Sequence, residues 1–131
     1  MIQSVTKPKE VGQLTSFFIK ILIHYIMKTK LIHPLKLKSG LVFPIGTPVS
    51  VFPHLNDVHA QLFVDGSFEP IIIRIVNLFH YFPEFIEVTP AALDEAMMDG
   101  ECPSMTGKTG IEPDGHDSDG WPSILAAAGI I

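Results

Sequence analysis

The residues of this chain with the types and spacing to do chemistry crowd into positions 100–131. Thr106-Gly107-Lys108-Thr109 ends like a phosphate loop, in which backbone amides cradle phosphate and the lysine reaches it. That loop needs a glycine with four residues between it and the Gly-Lys pair, and Cys102 stands there. Asp114, Asp117 and Asp119 lie in D-G-H-D-S-D-G, which hints at calcium. With Gly120 in the sixth position of such a loop, the first and twelfth ligands fall on Gly115 and Ala126, which carry no carboxylate. Ser104, His116 and Asp117 are the residue types of a hydrolase triad, without the nucleophile elbow that strains a serine into place. His54, Asp57 and His59 make a zinc set only if His80 or His116 supplies a further ligand. Cys102 reads as a small half-buried residue. No catalytic constellation, cofactor site or metal site emerges from these residues, and the chain reads as a non-enzyme.

The same stretch is shaped by its punctuation. Glycine and proline interrupt both helix and strand, so 101–120 is expected to be a loop. A segment of about 20 residues without secondary structure is usually functional or disordered. The Gly and Asp spacing favours ordered turns, because Asp accepts hydrogen bonds from nearby backbone amides. Asp114 and Asp119 are the expected holders of that loop. Ser104, Thr106, Lys108, Glu112, Asp114, His116, Asp117, Asp119 and Trp121 are its candidate binding residues. Trp121, Ile124 and Leu125 come directly after it and are expected to dock on the rest of the domain.

The elements that position this loop read as short strands. At 131 residues with 47% apolar and 18% charged residues, the chain makes one domain and can bury a core. Leu35 and Leu37 alternate with Lys36 and Lys38, a half-buried strand. Ser39-Gly40 turns, 41–43 comes next, and 48–52 is another strand. Val58, Ala60, Leu62 and Val64 share one face of a strand, and Asp65-Gly66 is a hairpin signal. The return strand carries Ile71, Ile72 and Ile73, expected to be buried on both sides, with Pro70 at a bulge or edge. Phe79, Tyr81, Phe82 and Phe85 suit a base-stacking platform, but beside Glu84 and Glu87 they read better as core packed against the next helix. Thr89-Pro90 starts that helix and Gly100 ends it. Pro122 and Gly129 bracket a second, shorter one. The expected fold is mainly β with small α content: a small SH3-like barrel at 27–88, then helix, loop and apolar tail at 89–131.

Residues 1–26 read as an N-terminal extension. The apolar run 14–27 is shorter than the roughly 20 residues of a membrane span, and Lys20 and His24 interrupt it. It reads as an added element, as sequence upstream of a natural start at Met27, or as a membrane-surface anchor. Net charge is −5 but unevenly spread, about +6 over 1–38 and −11 over the rest. The acidic majority opposes generic binding to a nucleic-acid backbone. The single cysteine excludes an internal disulfide and fits a cytoplasmic, reducing setting.

The phrase L-x-S-G-x-x-x-P-x-G-T-x-V-x-V from Leu37, then a D-G hairpin, then T-G-K and E-P-D-G before G-x-P-S and a final G-x-I, resembles a group of small uncharacterised bacterial and prophage proteins. The resemblance covers 31–131. Where that group carries Trp-Leu-Leu, this chain has Ile124-Leu125-Ala126, with Trp121 just upstream. It implies a compact phage-associated protein and supplies no activity. The expected function is a non-enzymatic binding or accessory protein of a mobile element, acting through protein contacts. The alternatives are a nucleic-acid-associated barrel using Lys28, Lys30, Lys36 and Lys38, and a small hydrolase or metal-binding protein.

Overall fold

A computed structural model describes residues 26–131 except 54, 55 and 68. The readings made for 1–25, and for His54 as a metal ligand, lie outside the described residues.

Four antiparallel strands form the main sheet in the order β1 (Met27–Lys30), β4 (Pro48–Pro53), β5 (His59–Val64) and β6 (Ile71–Arg74). A two-stranded ribbon, β2 (Leu35–Lys36) with β3 (Val42–Phe43), sits between β1 and β4 in sequence. The domain is mainly β, as its alternation predicts. Among the described residues the sheet is open, with β1 and β6 as its edges. Register is set by the period of two, since a slip by one residue would turn every apolar side chain outward. Met27 lies opposite Val51, and Val51 opposite Leu62, which faces Ile71. Val49, Val51, Ala60, Leu62 and Val64 therefore fill one buried inner face. The D-G turn is real: Ser67 N–H donates to Val64 C=O at 2.9 Å, and Gly66 takes φ 85°, a region costly for residues with a Cβ.

Two findings differ from the sequence reading here. Strand β1 runs through M-K-T-K, which offers almost no apolar signal; it pairs by backbone while Lys28 and Lys30 stay exposed. The Ile71-Ile72-Ile73 run is not buried on both sides. Its strand is a sheet edge, Ile71 and Ile73 are half-buried, and Ile72 is exposed. Pro70 stands just ahead of that edge, where its missing N–H costs no ladder bond.

The segments after β6 close the sheet's inner face. A 3-10 turn (Ile75–Asn77) and the one-turn helix α1 (Leu78–Tyr81) bring Ile75, Leu78, Phe82 and Phe85 into the core. Helix α2 (Pro90–Asp99) begins where Thr89 Oγ1 accepts from Ala92 N–H at 3.1 Å, and stops at Gly100 with φ 73°. It buries only Ala96 fully, and it packs against α3 (Ile124–Ala127) in the tail. Of the aromatic run, Phe82 and Phe85 join the core cluster that also holds Ala96 of α2. Phe85 meets Trp121 of the tail edge-on, with centroids 4.8 Å apart. All four residues of α3 are buried. Its end is sealed when Gly129 and Ile130 N–H donate to Ala126 and Leu125 C=O, the bond pair that closes many helices. Among the described residues, no helix is long and apolar enough to cross a membrane.

Candidate functional site

The loop 101–123 is folded onto itself rather than loose. Cys102 and Ile111 exchange backbone hydrogen bonds at 2.9 and 3.0 Å, closing a small hairpin around the T-G-K turn. Ser104 pairs with Ser123, and His116 with Pro122, so the loop's halves are laced to the start of the tail. Glycines permit the sharp bends: Gly107, Gly110 and Gly120 all have φ between 76° and 88°.

At its centre is Asp117, buried although charged. Its Oδ1 accepts from Asp119 N–H at 2.9 Å and Trp121 N–H at 3.0 Å, and its Oδ2 from Thr106 Oγ1–H at 2.8 Å. Thr106 Oγ1 lies 3.2 Å from Ser104 Oγ, which itself accepts from the N–H groups of Thr106 and Lys108 at 3.3 Å. Burial alone would raise the Asp117 pKa. The Ser104 and Thr106 hydroxyls and the Trp121 and Asp119 amides outweigh it, and the carboxyl lies below its ordinary value. Lys108 Nζ donates to Asp119 Oδ2 at 2.7 Å and Ser118 Oγ at 2.8 Å, across the mouth of the same loop. The hydrogen bond to Asp119 raises the Lys108 pKa, with a smaller opposing cost of desolvation.

The nine expected site residues separate into three groups. Ser104, Thr106, Asp117 and the Trp121 backbone form one hydrogen-bonded network, with Lys108 and Asp119 as its exposed clasp. His116 turns away and bonds Asp57 Oδ1 at 2.7 Å, tying the loop to the β4–β5 connection. Glu112 and Asp114 are exposed on the 112–115 turn. The loop is ordered as expected, but not through Asp114, which makes no side-chain hydrogen bond to a described residue. Asp119 contributes a surface ion pair, and Asp117 is the residue that holds the turns. An Asp117 substitution is therefore expected to disturb the fold. The sequence reading also missed Ser123. Its hydroxyl donates to Pro113 C=O at 2.6 Å and accepts from Ala126 N–H at 3.1 Å. Its signal was legible: serine just ahead of an apolar run is a helix cap.

Several of these groups are engaged within the chain. His116 engages Asp57 instead of Ser104, so the triad residue types are not brought together. Lys108 is clasped by Asp119 where a phosphate would need it. No group of three His, Cys, Asp or Glu suited to a metal occurs among the described residues. Cys102 is buried, with its Sγ–H directed at Ile111 C=O, 3.7 Å away. Comparison with family models, curated proteins and solved structures finds no match.

Proposed function

We propose that the chain is a non-enzymatic binding protein acting through protein contacts. The observation that carries this reading is on the ribbon, not the loop. Leu41, Val42 and Ile45 are 54%, 48% and 63% exposed within five residues of one another. Scattered surface apolar residues are ordinary, whereas three large ones within one short ribbon suit a protein interface. Lys36 and Lys38 of the same ribbon favour a partner with acidic groups around an apolar centre. The likeness of the C-terminal phrase to prophage proteins supports a mobile-element setting and a cytoplasmic accessory role.

Capture from lysate of a bacterial host, with the full chain immobilised, tests this. A protein retained by the wild type and released by Leu41→Asp with Ile45→Asp, at an unchanged melting temperature, supports it. Equal retention by the double variant removes the ribbon as the contact surface.

A further inference from the structure

The outer face of the main sheet has a charge pattern opposite to that of the chain. Among all residues of β1, β4, β5 and β6 there is no Asp or Glu, while Lys28, Lys30, His59 and Arg74 are all present. Register places every one of these basic groups outward. Lys28 stands opposite Ser50, which stands opposite Phe63; Lys30 faces Pro48; His59 faces Arg74. In a chain of net charge −5 the formal charges on these strands are all positive, with Asp65 the acid that flanks them at the hairpin end. The field a ligand meets depends on local charge within a Debye length of about 8–10 Å, not on the total.

Two aromatic rings occupy the middle of the same face. Phe52 and Phe63 project from adjacent strands and lie nearly parallel, with centroids 5.5 Å apart and planes 11° from each other. Both are half-buried, as is Gln61 between them in sequence position and facing Phe52 across the ladder. At the hairpin end the face hollows into a cleft of about 490 Å³, within the size range of small-ligand sites. Its wall includes Lys28, Ser50, Phe63 and Asp65.

The geometry points to single-stranded nucleic acid as the ligand of this face. Flat rings on an open sheet accept the faces of unstacked bases, and cations along the edges take the phosphates. Here Lys28 and Lys30 line one edge and Arg74 the other, so a strand crossing the sheet passes from cation to aromatic to cation. Ser50 and Gln61 offer neutral hydrogen-bonding groups between the rings. Asp65, the acid at the cleft's end, is placed to accept from a base N–H. A duplex hides its base faces and cannot use the rings. This surface is separate from the ribbon, and it limits the inference from net charge to the inner and C-terminal parts of the chain.

The test is fluorescence anisotropy of the full chain with a labelled 12-nucleotide oligothymidine, a matched duplex and heparin as a polyanion without bases. The expected result is binding to the single strand that weakens with salt. Three phosphate contacts give a log–log slope of about −2, a loss of about sixteenfold between 50 and 200 mM salt. Phe63→Ala should raise Kd at least about fivefold, the lower bound for loss of one stacked base. Lys28→Glu with Lys30→Glu should raise it about tenfold or more without touching the core, so this variant stands even if Phe63→Ala is unstable. Absence of binding at 50 mM salt, unchanged affinity in the lysine variant, or equal affinity for heparin or duplex overturns the proposal.

Discussion

The loop 101–123 and the outer sheet face are built from opposite materials and end in opposite states. The loop holds nearly every residue type associated with catalysis, and the structure commits its buried ones, Ser104 and Asp117, to holding its own backbone. The sheet face holds two phenylalanines, a serine, a glutamine and a few basic residues, and it leaves them partly exposed. A polar residue marks a site only when something remains for it to bind. Asp117 is saturated by three donors and Ser104 by its own turn, whereas Phe63 and Lys28 flank a cleft with no such closure.

The sharpest way to break this contrast is to show that the loop and tail are not structural. Trp121→Ala should cost about 3–5 kcal/mol, the usual loss for a large buried aromatic, and Leu125→Ala about 2–5 kcal/mol. Denaturant titration measures both, and unchanged midpoints would detach the tail from the core. Next in size is Asp117→Ala, which strands the Asp119 and Trp121 amides and the Thr106 hydroxyl. Hydrogen bonds to charged groups contribute about 1.5–3 kcal/mol each and are not additive, so a loss of about 3 kcal/mol is expected.

The Asp117 charge carries its own pH signature. Its folded-state pKa is lowered, so its contribution is complete above the unfolded value near 3.8 and disappears as the pH falls through the folded value. Wild type should therefore lose stability below about pH 4 more steeply than Asp117→Asn, as acid titration of the melt would show. Parallel acid curves would mean the carboxylate is not held as described. The smallest effect belongs to Lys108→Ala. The lysine is exposed and its ion pair with Asp119 is a surface one, so the melting temperature should not move measurably. If function nevertheless failed in that variant, the loop would regain its standing as a site.

Much of the framework was legible because it rests on local rules. The Asp65-Gly66 hairpin, the Thr89 cap with Pro90, the stop at Gly100 and the shared face of Ala60, Leu62 and Val64 each arise from backbone preference or a period of two. Burial of Trp121, Ile124 and Leu125 could be expected from the cost of leaving them in water. What stayed hidden depends on pairing across distance. Strand β1 has no apolar alternation of its own and is recruited by β4. Three aspartates of like spacing look equivalent until the turn selects Asp117 for the interior. His116 and Asp57 are 59 positions apart, and nothing local announces their contact. The clustering of Lys28, Lys30 and Arg74 on one sheet face was not legible either, because total charge hides how charges distribute between two sides of a strand.

Trp121 is the chain's one tryptophan. It is fully buried, edge-on to Phe85, and its indole Nε1–H has no partner among the described groups. Intrinsic tryptophan emission of the whole protein therefore originates at a single place, the seam between sheet and tail. An indole in dry surroundings emits towards the blue, and release into water moves that emission to the red. Undocking of the tail and unfolding of the sheet can then be timed separately, emission reading the first and far-ultraviolet dichroism the second. The protein carries its own optical gauge for whether its last thirty residues belong to the domain at any moment.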